Sequence, residues 1–125
     1  MIEYEYLTLD QVVTIHDSKF KCSFNENLLA SAVGKPQASF MGYERYPTLL
    51  DKAAALLIGL ATNHAFADGN KRTAISCCQI FLYINGVDID PTLDDEAIAN
   101  FTVRVVEEKL PHEDVVQGLA KFYGI

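Results

Sequence analysis

A run of polar residues between positions 64 and 72 carries the side chains best suited to chemistry. The chain reads His64-Ala-Phe-Ala-Asp68-Gly69-Asn70-Lys71-Arg72 at this point. Imidazole titrates nearest neutrality of all side chains, so His64 is the natural general base for a hydroxyl nucleophile. Asp68 offers a hard oxygen ligand of the kind that Mg²⁺ prefers. Phe66, between them, is expected to anchor the run in the core.

The second half of the run favours a bound phosphate. Gly69 lets the backbone approach a ligand closely. Asn70, Lys71 and Arg72 open a helix, whose first N–H groups and positive dipole end attract anions. Two adjacent positive charges stand out in a chain with 10 basic and 17 acidic residues and a net charge of −7. A base, a magnesium ligand and a phosphate site together predict transfer of a phosphate-containing group.

Two other interpretations of the same run remain open. His64 could be a structural histidine near a helix end, with no chemical role. His64 and Asp68 could also hold a metal, although two ligands without a third histidine nearby make a weak case for zinc. His16 and His112 have no comparable neighbours in the sequence, and we treat both as structural or surface residues.

Two apolar helices must position this run. The stretch 53–61 is apolar on every side, which is typical of a buried helix. A second such helix is predicted over 71–84 and ends at Asn85-Gly86. The polar run lies between these two buried helices.

Four further helices complete the expected fold. Thr8 and Gln11 form a capping box for a helix over 9–17, and Asn25 caps another that stops near Gly34. Thr92 or Asp94 caps a helix reaching about 109, and Pro111 separates it from a last short helix. We predict one mostly α (all-α) domain over residues 1–125, with about six helices around the two central ones.

The segment 35–48 differs from the rest. Pro36, Gly42 and Pro47 interrupt it, which favours a loop or short hairpin over a helix. Phe40, Met41, Tyr43 and Tyr46 supply aromatic and apolar bulk, so the segment is either an ordinary surface connection or a flap over a cleft.

The composition excludes several classes of protein. No apolar stretch approaches the roughly 20 residues that span a bilayer, and the start, Met1-Ile2-Glu3, has no signal-peptide pattern. We therefore expect a cytoplasmic protein without a membrane contact. The acidic balance argues against direct nucleic-acid binding. The cysteines, Cys22, Cys77 and Cys78, fit reduced packing residues rather than disulfides or a zinc site.

The run from His64 to Arg72 resembles the signature HxFx[DE]GN(G/K)R of the Fic superfamily. Flanking stretches resemble its death-on-curing (Doc) branch, and these are 28–32, Lys35-Pro36, Tyr46-Pro47, 52–55 and 81–86. The resemblance covers most of the chain, and it implies a Fic/Doc-like helical bundle with a minor flap hairpin.

Lys71 distinguishes two chemistries within that superfamily. Members that transfer AMP have glycine at this position and a second arginine three residues after the first, where this chain has Ile75. Doc proteins share the lysine; they are kinases that transfer the γ-phosphate of ATP to a threonine of elongation factor Tu and so halt translation. The resemblance therefore implies a toxin with protein kinase activity, and AMP or other nucleotidyl transfer is the alternative.

The resemblance also implies roles for the motif residues. His64 would be the catalytic base, Asp68 would help to hold Mg²⁺, and Gly69, Asn70, Lys71 and Arg72 would hold the phosphates of ATP. The flap would pair with the substrate peptide as an added strand, with Phe40 and Met41 as candidate contacts. The sequence lacks a complete Fic-type inhibitory motif, so we expect a separate antitoxin. A binding module without turnover is the remaining alternative outside enzymology.

Overall fold

The computed structural model describes residues 3–18 and 22–125, so Met1 and Ile2 of the expected N-terminal start lie outside the described residues. Over this range the chain forms six α-helices, which confirms the mostly α prediction. Their bounds are Leu9–Asp17 (α1), Glu26–Gly34 (α2), Leu49–Thr62 (α3), Asn70–Ile84 (α4), Asp95–Glu107 (α5) and His112–Tyr123 (α6). The described helices are too short or too polar to cross a membrane.

The helices α3 and α4 form the centre of the bundle, as their apolar composition predicts. They pack against each other more extensively than any other pair, and α3 also contacts α2, α5 and α6. Nine of the residues of α3 are buried. Gly59 permits the close approach of α2, because a Cβ atom there would lie only 3.3 Å from Ala32. The polar run is thus held between two helices that cannot move independently of the core.

Side-chain caps explain where most helices begin. Thr8 accepts from the N–H of Gln11, whose side chain accepts from the N–H of Thr8, as the predicted capping box requires. Asn25 caps α2, and Asp94 rather than Thr92 caps α5. The helix α3 begins at Leu49, directly after the segment 35–48, with a second capping box.

That second box has a sequence signal of its own. Thr48 is followed three residues later by Asp51, and the hydroxyl and carboxylate each accept from the other residue's N–H. The spacing is that of a capping box, with aspartate at the third helical position, and it was not among the helix starts predicted from the sequence.

A small hairpin connects α2 to α3. A single 3₁₀ turn, Lys35–Gln37, leads into strands Ser39–Phe40 (β1) and Tyr43–Glu44 (β2). The strands are antiparallel, with Ser39 opposite Glu44 and Phe40 opposite Tyr43. The segment predicted as a loop or short hairpin is therefore a hairpin, and we call residues 39–44 the hairpin below.

The cysteines behave as packing residues, as the sequence suggests. All three are free, and Cys77 and Cys78 are buried in α4. Burial raises the pKa of each of these two thiols to about 12, which keeps both protonated and unreactive near neutral pH.

Candidate active site

The run 63–72 joins the end of α3 to the start of α4, and its middle is buried. Ala65 and Phe66 expose only 4% and 3% of their surface. The segment 23–25 lies antiparallel beside them: the Asn25 N–H donates to the Ala65 carbonyl (2.6 Å), and the Ala67 N–H donates to the Ser23 carbonyl (3.2 Å). Phe66 anchors the run in the core, as predicted.

A histidine from α1 packs against the polar run. The imidazole of His16 is fully buried and stacks on the ring of Phe66, with centroids 3.7 Å apart and planes 8° apart. Its Nε2 lies 2.9 Å from the carbonyl oxygen of Asp68, and its Nδ1 lies 3.0 Å from a carboxylate oxygen of Asp17. Since a carbonyl oxygen only accepts, Nε2 carries a proton and donates. Of the two interpretations we gave for His16, the structure supports the structural one.

The side chain of Asn70 is bound to the run itself. Its Oδ1 accepts from the N–H of Phe66 (3.0 Å), and its Nδ2 donates to the carbonyl of Phe66 (2.9 Å). Both polar ends of the amide are therefore engaged with the backbone. The sequence suggested that this side chain holds phosphate; in this arrangement the group of Asn70 that faces a ligand is its backbone N–H.

The start of α4 is open to an anion. Its N-cap is Gly69, in the left-handed conformation (φ 80°, ψ 16°), and no side chain caps the helix. By contrast α1, α2, α3 and α5 each have a side-chain cap. The first turn of α4 contains no acidic residue and begins with Asn70, Lys71 and Arg72. Its free N–H groups, the helix dipole and two cationic side chains all favour a bound phosphate.

His64 lines a cavity at the start of α4. This cavity measures about 280 Å³ and is lined by His64 and the residues from Ala67 to Arg72. His64 is exposed, has a left-handed backbone (φ 52°), and its imidazole has no partner among the residues that the structure describes. The structure therefore brings all six predicted residues, His64 and Asp68 to Arg72, to one cavity.

Asp68 is an exposed carboxylate at the edge of this cavity. One oxygen, Oδ1, accepts from the N–H of Gly69 (2.8 Å), which leaves the other for a ligand. Within the described ranges no three His, Cys, Asp or Glu side chains cluster as a metal site. One carboxylate beside a phosphate site fits Mg²⁺, which is commonly held by one or two carboxylates together with substrate phosphates and water. It does not fit zinc, which needs three or four protein ligands.

A second cleft adjoins the cavity through Arg72. It lies between α4 and α5, measures about 360 Å³, and is also lined by Ile75, Gln79 and Asp95. Ile75 occupies the position where AMP-transferring relatives of the motif would carry a second arginine. The wall of this cleft therefore offers one arginine rather than two.

The hairpin is the second candidate region. Met41 and Gly42 form its two-residue turn with φ of 52° and 83°, as the mirror-image turns of tight hairpins require. Phe40, Met41 and Tyr43 expose 77%, 82% and 80% of their surface. The two-stranded sheet has unpaired strand edges, which is the geometry that strand addition uses.

The supporting role of His16 could not be found from the sequence. It lies 52 residues from Asp68, and neither its neighbours nor its helical position indicates which element it faces. The only local signal is a histidine with a carboxylate next to it, which is common on exposed helix ends.

Comparison with known proteins agrees with the geometry. The model of the Fic/DOC family matches residues 6–82, which is more than half of the chain and includes the whole run from His64 to Arg72.

Two curated proteins are similar over most of their length. The protein named Toxin Doc of Mycolicibacterium smegmatis is 39% identical over 121 residues, covering 94% of this chain and 93% of that protein. The protein named Protein kinase doc of Escherichia phage P1 is 33% identical over 92 residues, covering 74% of this chain and 70% of the phage protein.

Proposed function

This chain belongs to the Fic/DOC family, and from that premise we propose that it is the toxin of a toxin–antitoxin pair with protein kinase activity. In this proposal it transfers the γ-phosphate of ATP to a serine or threonine hydroxyl of a translation factor similar to elongation factor Tu. The names of its two relatives, a toxin and a protein kinase, support the general class. The uncapped start of α4, with Lys71 and Arg72 in its first turn, is the observation that carries the phosphate chemistry.

The proposed reaction uses the residues of the cavity in distinct roles. His64 takes the proton of the acceptor hydroxyl, whose oxygen attacks the γ-phosphorus as the bond to the β-γ bridging oxygen breaks and ADP leaves. The N–H groups of the first turn of α4, with Lys71 and Arg72, bind the phosphates and oppose the charge that develops on them. Gly69 provides the left-handed start that exposes these N–H groups. Asp68 would hold Mg²⁺, which when bound supplies a Lewis acid that neutralises phosphate charge.

Lys71 is the reason for proposing phosphate transfer rather than AMP transfer. A long cationic side chain stands where AMP-transferring members have glycine, so it fills part of the space that the α-phosphate would need. The cleft between α4 and α5 adjoins the cavity at Arg72 and has room for the remainder of a nucleotide.

Labelled ATP distinguishes the two chemistries. Purified protein is incubated with Mg²⁺, bacterial lysate and ATP labelled at either the α or the γ phosphate. We expect protein-bound label only from the γ position. Protein-bound label from the α position alone would support nucleotidyl transfer, and no label from either would support a binding module without turnover.

The acceptor is tested with a purified substrate. Elongation factor Tu replaces the lysate, and mass spectrometry of its peptides locates the added group. A mass increase of one phosphate on a threonine supports the proposed acceptor; label on other lysate proteins with none on this factor would redirect the search.

We propose that a cognate antitoxin restrains this activity in the cytoplasm. The segment that most resembles an inhibitory motif, 92–96, serves another purpose: Asp94 caps α5, and Thr92 hydrogen-bonds to Asp90. Expression of the chain alone should arrest bacterial growth, and co-expression of a short neighbouring open reading frame should relieve the arrest.

A further inference from the structure

Lys52 is the largest fully buried side chain among the described residues, and it carries a charge. It lies in the first turn of α3, where it precedes the apolar run of that helix. Lysine is almost never fully buried unless it is paired, because removing an ammonium group from water is costly. The contacts of Lys52 therefore need an explanation that core packing does not supply.

The ammonium group of Lys52 contacts the chain both just before β1 and at the end of β2. Its Nζ donates to a carboxylate oxygen of Glu44, the last residue of β2, at 2.9 Å. It also donates to the carbonyl oxygen of Pro36, in the turn just before β1, at 3.3 Å. The rings of Tyr4 and Tyr6 lie 5.2 and 5.7 Å from Nζ and cover it on another side.

The surroundings keep this lysine charged. Burial by itself lowers the pKa of Lys52, but hydrogen bonds with Glu44 and Tyr6 outweigh burial and raise the pKa above its ordinary value. The group is therefore a cation at any physiological pH.

Apart from its buried neighbours Pro36 and Tyr46, the hairpin has few contacts that fix it. Its strands have two exposed residues each, and an isolated two-stranded hairpin is marginally stable in water. One further backbone hydrogen bond, from the Arg45 N–H to the Ala38 carbonyl (2.9 Å), closes its base. An apolar side chain of the same length would serve the core as well as a buried ion pair does, or better. It could not, however, hold two polar groups on opposite sides of the hairpin.

We propose that Lys52 is a positioning residue that fixes the base of the hairpin on α3 and thereby sets the orientation of its strand edge. The part of this inference that concerns substrate rests on the proposed function. There, the ion pair with Glu44 presents the hairpin to the acceptor protein, while the chemistry at His64 does not depend on it.

The structural part is tested by amide hydrogen exchange on the protein without ligands. In Lys52→Met, which keeps the length of the side chain, we expect the Arg45 amide to exchange at least about tenfold faster, because a charge-assisted contact is lost. The amide of Phe66, bound to Asn70, should exchange at its original rate. Unchanged exchange at Arg45 in a folded Lys52→Met protein would overturn the inference.

A second variant removes the ion pair without changing the core. Glu44 is about half exposed, so Glu44→Gln should fold even if Lys52→Met does not. It should also speed exchange at Arg45, by a smaller factor, since the Pro36 contact remains. Glu108→Gln, which removes the exposed Arg104–Glu108 pair on α5, is the matched control and should leave Arg45 unchanged. If Glu44→Gln and Glu108→Gln behave alike, Lys52 does not act through the hairpin.

The functional part is tested by steady-state kinetics. Lys52→Met should raise the KM for the acceptor protein about tenfold, the size expected for the loss of one charge-assisted contact. Its kcat and the KM for ATP should not change, and Lys52→Arg should restore the acceptor KM. A merely structural role would lower kcat, together with kcat/KM for ATP and kcat/KM for the acceptor protein. If the wild type transfers no phosphate, the proposed function fails, but the exchange experiment still decides the positioning role.

Discussion

The polar run and the hairpin meet the same backbone requirement in opposite surroundings. Each has one non-glycine residue with φ of 52°, His64 and Met41, and one glycine with φ near 80°, Gly69 and Gly42. A left-handed conformation costs an ordinary residue roughly 1–2 kcal/mol. Both regions must therefore gain stability from contacts that offset this cost.

The contacts that offset the cost differ. The polar run is held by Asn70, by the buried ring of His16 and by the segment 23–25, all in or next to the core. The hairpin is held at its base, by Lys52, by the Arg45–Ala38 bond and by its buried neighbours Pro36 and Tyr46, and its tip is exposed. Under the proposed function, this difference would provide a fixed geometry at the polar run and a more adaptable one at the hairpin.

The largest expected effect follows from removing the base. His64→Asn and His64→Ala should each lower the transfer rate by roughly 10² or more, the usual contribution of a general base. Asparagine tolerates the left-handed backbone, so His64→Asn should keep the free energy of unfolding within about 0.5 kcal/mol of the wild type. Radiolabel transfer and urea denaturation measure the two quantities. If His64→Asn transfers phosphate at the wild-type rate, His64 is not the general base.

The next effect tests how firmly the polar run is held. Asn70→Ala leaves the backbone groups of Phe66 unpaired in the core, so we expect it to lose about 1–3 kcal/mol of stability, together with most activity. Asn85→Ala is a matched control, because the Asn85 amide bonds both backbone groups of Glu5 at the other end of α4. It should lose less stability, because Glu5 is exposed and water can replace the Asn85 amide, and it should retain activity.

The result for Asn70 also separates two roles. If Asn70→Ala unfolds at the same urea concentration as the wild type yet transfers no phosphate, the amide acts on the ligand rather than on Phe66. The Asn70 amide would then not be what holds the polar run more firmly than the hairpin.

Most of the fold could be predicted because its signals are local. The capping box at Thr8 and the cap at Asn25 place two helix starts, and the largely apolar composition of 53–61 and of 74–84 identifies the two central helices. The helix α3 follows directly on the segment predicted as a loop or hairpin, 35–48.

The candidate site, too, could be predicted only in part. The six candidate residues lie within nine positions of one loop, so the sequence alone brings them together. The contacts that hold the loop and the hairpin could not be predicted, because the partners of Asn70, His16 and Lys52 depend on how the helices pack. Side-chain direction is set by that packing, and a short motif does not encode it.

The glycines give a direct test of the comparison. Gly69→Ala places a side chain on a left-handed residue that buried contacts hold in position, so the unfolding free energy should fall by about 1–2 kcal/mol. Gly42→Ala imposes similar strain at the hairpin turn. There the strain can be released by local opening, so the global unfolding free energy should change less. Urea denaturation measures the global term, and exchange at the Arg45 amide measures the local one. Equal global losses would show that the hairpin is as firmly held as the run.

The smallest expected effect concerns the junction at which the hairpin passes into α3. Burial tends to raise the pKa of Asp51, but hydrogen bonds with Thr48 and His112 outweigh it and lower the pKa below its ordinary value. A depressed pKa in the folded state means that the carboxylate stabilises the fold above the unfolded-state value of about 3.9. This contribution is lost as the pH falls through the lower folded-state value.

Asp51→Asn should therefore be less stable than the wild type at pH 7, by no more than about 1 kcal/mol because the group is partly exposed. The difference should shrink towards zero as the pH is lowered below 4, since the wild-type carboxylate then becomes neutral as well. Urea denaturation at a series of pH values measures it, with Glu108→Gln as a control at pH 7. Because Asp51 bonds Thr48 and His112 and makes no hydrogen bond to the hairpin, exchange at the Arg45 amide should not change in Asp51→Asn. Faster exchange there would show that the hairpin depends on the whole start of α3, and that Lys52 is one of several groups holding it.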